Sequence, residues 1–161
     1  MPLAVAAVRE VDSPAVEKNV RAAITQSDNA AAEELWAALG APLTAASKVQ
    51  SVLDEAGDAP TVESQHVRPG FTAFGQTRWT LTAQARYGAF LACDTVGDEV
   101  YGLMGEIASG QRWGLGTLPD SRYKGGWGPD ESGNYLVRQF GVVATSRGRV
   151  AVVTALAEIP H

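Results

Sequence analysis

Apolar positions recur at helical spacing through the first two thirds of the chain. Val16, Val20, Ala23 and Ile24 share one side of a helix predicted from Pro14 to Gln26, with Ser13 ahead of it and Pro14 in its first turn. Ala32, Leu35, Trp36 and Leu39 repeat at i, i+3, i+4 and i+7 and predict a second helix over Asn29 to Leu39, stopped by Gly40. Val49, Val52 and Leu53 place a third over Thr44 to Ala56, ended by Gly57. Residues Asp58 to Gly75 hold Pro60, Pro69, Gly70 and Gly75 without a sustained period, which predicts a long irregular loop. Thr80 to Cys93 and Asp98 to Ile107 read as two more helices, and the apolar start MPLAVAAVREVDS is assigned no element. After Gly110 the period shortens. Arg122–Trp127, Tyr135–Ala144 and Arg149–Ala157 are β-type runs separated by the turns Pro129 to Gly133 and Ser146-Arg147-Gly148, which predicts two hairpins and three antiparallel strands.

Composition supports the same division. Of 26 alanines, 22 lie in residues 1–110, while six of 17 glycines fall between Gly110 and Gly128. The expectation is an α+β fold in one domain, residues 1–161, with a helical region over residues 1–110 and a stranded region over residues 111–161. A net charge of −5 with ten scattered arginines and three lysines excludes the basic footprint of a nucleic-acid binder. No run of 18 apolar residues predicts a membrane span, and no basic segment precedes the apolar start to suggest a signal peptide, so the compartment stays open. One cysteine, Cys93, and two histidines, His66 and His161, supply neither a disulfide framework nor a metal site. The glycine runs match no phosphate or dinucleotide fingerprint, so no cofactor is expected.

Two short motifs carry the candidate chemistry. Ser27-Asp28-Asn29 sits where a helix begins, and by itself is an N-cap. Lys124-Gly125-Gly126 opens the first strand, where a lysine ahead of paired glycines lets a ligand approach the backbone closely. In this order and context the two resemble the Ser-Asp-Asn turn and Lys-Thr/Ser-Gly strand box of the serine β-lactamase and penicillin-binding protein family. The segments ITQSDNAAAEELWAALG, FGQTRWTLTAQARYGAFL, RYKGGWGPDESGNYLVRQFG and GRVAVVTAL extend the resemblance over residues 14 to about 158, in the style of such serine hydrolases from high-GC bacteria.

The resemblance implies a partial β-lactamase/transpeptidase-like fold, a helical region followed by a three-stranded antiparallel sheet. It also implies roles. Ser27 would relay a proton to the leaving nitrogen, helped by the field of Lys124, and Asn29 would bond the acyl-amide of a β-lactam or cell-wall peptide. Lys124 would attract the substrate carboxylate, Gly126 would let the substrate approach, and the Trp127 N–H would be one oxyanion donor. Arg138, on the neighbouring strand, would be a second carboxylate contact.

Two departures qualify those roles. Gly125 stands where the family box has a hydroxyl residue. The family's nucleophile lies in a helical Ser-x-x-Lys upstream of Ser-Asp-Asn, and no such motif precedes Ser27. The one literal match, Ser121 to Lys124, is rejected, because Pro119 and Gly-Gly-Trp-Gly-Pro bar a helix there and in a strand the two side chains would face opposite ways. The chain is therefore expected to lack acyl-transfer activity alone, the alternative being a non-catalytic binding module for cell-wall peptide or a protein partner. Without the remaining family elements, the sheet would expose an edge and an apolar face through Val142, Val150, Val152 and Leu156, so self-association or a completing polypeptide is expected. Glu63 reads as a solvated loop carboxylate, His66 as a loop histidine, Cys93 as a small buried hydrophobe, and Trp36, Trp79 and Trp113 as core anchors, with Trp113 and Trp127 flanking the cleft.

Overall fold

The computed structural model describes residues 1–57, 60–95, 97–130 and 132–158, the side chains of 157 and 158 excepted. Asp58 and Ala59 of the predicted loop, Glu131 of the predicted turn and His161 lie outside the described residues.

The helices are α1 (Pro2–Glu10), α2 (Pro14–Thr25), α3 (Asn29–Ala38), α4 (Pro42–Glu55), α5 (Leu81–Leu91) and α6 (Asp98–Leu103). The strands are β1 (Arg122–Pro129), β2 (Tyr135–Thr145) and β3 (Gly148–Glu158), antiparallel in the order β1-β2-β3.

Helix α1 is the element that the hydrophobic pattern leaves unassigned. Leu3, Ala4, Val5, Ala6 and Ala7 are all buried, and the helix packs against α2, α3 and α4. Residues 2–8 are apolar without interruption and the polar Arg9 and Glu10 come only at the end, so no alternation of polar positions marks the helix in the sequence. The predicted boundaries hold closely elsewhere because side chains cap the helices locally. The Ser13 hydroxyl accepts from the Ala15 N–H at 3.3 Å, the Asp28 carboxylate from Ala31 at 3.0 Å, and the Thr80 hydroxyl from Ala83 at 3.1 Å. Helix α4 begins at Pro42 rather than Thr44, using the proline in its first turn. Helix α6 is shorter than expected. It ends at Leu103 instead of Ile107, where the Arg122 guanidinium donates to the Tyr101 and Gly102 carbonyls at 3.1 and 3.0 Å.

Strand alternation gives the sheet two faces. Arg122, Lys124 and Gly126 of β1 share one face with Val142, Phe140 and Arg138 of β2 and with Ala151, Val153 and Ala155 of β3. Helix α5 covers that face, where Trp79, Tyr87 and Phe140 meet at ring-centroid distances of 5.6 to 6.2 Å. Gly141 is obligatory opposite Tyr123 of the paired strand β1, because a Cβ there would overlap the Arg122 carbonyl and the Tyr123 Cα.

Among the described residues, the opposite face is only half covered. The turn Gly114–Thr117 lies over Gln139, whose carboxamide accepts from the Leu115 N–H at 2.8 Å and donates to the Trp113 carbonyl at 2.8 Å. Beyond it Val150 is 47% and Leu156 is 70% exposed, with Val152 partly buried beside them. Val142 is corrected from the expected apolar surface to the core. Its register partner is Arg122, so it faces the helices and is buried. Cys93 is likewise corrected: it falls two residues past the end of α5 and is exposed.

The loop after α4 is irregular, as expected, yet tied down. The Arg68 guanidinium donates to the Pro129 and Asp130 carbonyls at 3.0 and 3.2 Å, and Phe74 packs on Trp36 with centroids 5.4 Å apart. No described helix is long and apolar enough to cross a membrane.

Candidate functional site

Ser27 occupies the turn between α2 and α3 with φ of 58°, in the left-handed region. The amides of Gln26 and Asp28 both return to the Ala22 carbonyl, at 3.0 and 3.3 Å, so the chain ends α2 through Ser27 before Asp28 caps α3. The capping reading and the site reading therefore divide within the tripeptide. Asp28 caps, Ser27 turns outward toward the sheet, and Asn29 opens α3 with an exposed side chain.

Lys124 comes from β1 to meet it. Its Nζ donates to Ser27 Oγ at 2.5 Å and to the Gly125 carbonyl at 2.6 Å. Ser27 Oγ in turn donates to Gln111 Oε1 at 2.7 Å, and Gln111 Nε2 donates to the Gln26 carbonyl at 2.9 Å. The Tyr123 hydroxyl donates to the Gln111 carbonyl at 3.0 Å, tying the Gln111 turn to the same strand as Lys124. Lys124 borders an apolar hollow of about 90 Å³ whose lining includes Ile24, Ala32, Leu35 and Phe74. That burial disfavours the ammonium and lowers the Lys124 pKa to about 8. The outcome is a lysine that exchanges a proton near neutrality, hydrogen-bonded to a serine hydroxyl whose own proton is held by an amide oxygen.

The other expected site residues stand around this pair without bonding to it. Gly126 is exposed, and a Cβ there would meet nothing within 4 Å, so its backbone is open to approach. Trp127 alternates to the face away from Lys124, its ring 6.4 Å from that of Trp113, and both indoles are exposed rather than core. A Cβ on Gly125 would lie 3.7 to 3.8 Å from Trp127, Trp113 and Gln139, in ordinary contact on that same far face. Arg138 pairs with Gly126 in register and shares the face of Lys124, but it is partly buried, with Nη1 donating to the Trp79 carbonyl at 3.1 Å. Its Nε is buried without a hydrogen-bond partner.

Gln111 is the residue that sequence reasoning missed. It lies 84 positions from Ser27 in a one-turn segment, Ser109–Gln111, and an isolated glutamine in a glycine-bearing stretch carries no local signal. Ser121 immediately precedes β1, and Lys124 is engaged with Ser27 instead. Glu63 turns onto its own loop, accepting from the Ser64 and Gln65 amides at 2.8 Å each, and His66 Nδ1 lies 2.9 Å from the Phe71 carbonyl. No group of three or more metal-ligating side chains occurs among the described residues.

No family model and no curated protein matches this sequence. Solved structures do. A variant of the last common ancestor of Gram-negative bacteria β-lactamase class A aligns over 98% of this chain and 71% of its own, with 22% identity and a TM-score of 0.62. A halotolerant bacterial β-lactamase aligns over 99% of this chain and 74% of its own, with 16% identity and a TM-score of 0.62. The chromosome-encoded β-lactamase of Vibrio parahaemolyticus aligns over 88% of this chain and 55% of its own, with 17% identity and a TM-score of 0.60. Among the described residues, helices α1–α6 ahead of a three-stranded antiparallel sheet, superposing on class A β-lactamases over nearly all the chain, give a partial β-lactamase-like α+β fold.

Proposed function

We propose that the chain forms the Ser-Asp-Asn and lysine-strand half of a β-lactamase-like or penicillin-binding-type cleft and binds a β-lactam or cell-wall acyl-peptide there. The observation that carries this reading is the Lys124 Nζ to Ser27 Oγ bond at 2.5 Å, which joins two motifs 97 residues apart in a β-lactamase-like fold. In this reading Lys124 attracts the ligand carboxylate, Ser27 presents the hydroxyl held between Lys124 and Gln111 to the ligand's amide, and Asn29 bonds the acyl-amide. Gly126 and the Trp127 N–H line the approach to the carbonyl. Arg138 adds positive charge on the same face, its guanidinium held by the Trp79 carbonyl.

Acyl transfer needs a nucleophile with its base, and the only Ser-x-x-Lys in the sequence, Ser121 to Lys124, has its lysine turned to Ser27. Binding without acylation is therefore the expected behaviour of this chain alone. Incubation with a fluorescent penicillin followed by intact-mass spectrometry and calorimetry checks it. Saturable binding without a mass shift, weakened at least tenfold in Lys124→Met, is the expected result. A covalent adduct would overturn the non-acylating reading, and no binding at all would overturn the cleft.

The half-open sheet face also motivates self-association through Val150, Leu156 and Tyr135, which are exposed together on that side.

A further inference from the structure

A second cavity, of about 440 Å³, lies at the end of the sheet where β1 begins, β2 finishes and β3 begins. Tyr101 of α6 forms one wall, and Arg122, Val142 and Arg149 line the strand side. Neither Ser27 nor Lys124 borders it, so it is separate from the cleft.

Two guanidiniums converge here on one aromatic ring. The Cζ of Arg122 is 4.9 Å and that of Arg149 5.9 Å from the Tyr101 ring centroid. Arg122 is fixed by its bonds to the Tyr101 and Gly102 carbonyls, whereas Arg149 is exposed. The ion pairs among the described residues involve Arg9, Arg21 and Lys48, and neither Arg122 nor Arg149 has one. Asp120 also lines the cavity but is exposed and pairs with neither. Two like charges held around one cavity in a chain of net charge −5 repel each other, and an anion placed between them removes that repulsion. The planar guanidinium fork matches the oxygens of a tetrahedral oxyanion, and the volume is in the range of small-molecule sites.

We infer that this cavity binds the dianionic phosphate group of a small molecule, with Arg122 as the preset donor and Arg149 closing on it. Calorimetric titration with glycerol 3-phosphate at constant ionic strength tests the assignment. Saturable single-site binding is expected, weakened about tenfold or more in Arg149→Gln and unchanged in Arg147→Gln, which removes the same charge from the adjacent turn. Arg149 is exposed, so its glutamine variant should keep the wild-type circular dichroism and melting curve. Equal weakening in both variants reduces the effect to general charge and overturns the site, as does the absence of saturable binding up to about 10 mM.

Discussion

Ser27 is an L-residue at φ 58°, a conformation that costs a Cβ-bearing residue about 1–2 kcal/mol. The compensation is position, since the left-handed turn between two helices sends the hydroxyl to Lys124 and Gln111. Ser27→Gly and Ser27→Ala both delete those bonds, but only glycine relieves the backbone. Urea unfolding should therefore find the glycine variant about 1 kcal/mol more stable than the alanine variant, and equal stabilities would show that the turn carries no Cβ strain. Lys124 makes a second prediction at this scale. Burial lowers its pKa from 10.5 to about 8 in the folded chain, so between those values the unfolded state holds more protons. Stability should then rise with pH from about 8 to about 10.5, by about 2–3 kcal/mol relative to Lys124→Met, measured by unfolding at both ends of the window. A Lys124→Met variant with the same slope as the parent would sink this account.

Close approach between elements depends on two glycines with opposite tolerances. Gly88 on α5 faces the sheet, but a Cβ there would sit 3.5 Å from the Gly141 carbonyl and 3.7 Å from Phe140, which is ordinary contact. Gly88→Ala should fit and gain up to about 1 kcal/mol from helix propensity. At Gly141 the overlap is with backbone of β1, which cannot yield without breaking the ladder. Gly141→Ala should lose about 3 kcal/mol. Thermal melts of the pair separate a packed helix–sheet contact from a strand pairing that excludes any side chain. Neither difference is visible in the sequence, where both are single glycines inside apolar runs. The helices with side-chain caps were legible for the converse reason: Ser13, Asp28 and Thr80 act within three residues of themselves. Helix α6 was overextended because its end is set by Arg122, about 20 residues downstream.

For the molecule as a whole, the most exposed apolar feature among the described residues is the sheet. Its β3 edge and the adjoining face, with Leu156 70% exposed, are the surface we propose for self-association. Light scattering across a concentration series should show a mass that increases with concentration for the parent chain and stays monomeric for Leu156→Lys. A parent that remains monomeric throughout would rule out this face as a self-association surface.

By itself the sequence determined the strands and the capped helices, because period, caps and turn residues act over a few positions, while only its resemblance to a known family implied that the two motifs face each other. It also carried the resemblance that the fold bears out. Only the tertiary structure decided that Pro2–Glu10 form a buried helix, that Val142 is core and Cys93 surface, and that Gln111 completes the Ser27–Lys124 pair. Those outcomes depend on which face a residue presents and on partners many positions away. A one-dimensional pattern holds neither quantity until the chain has packed.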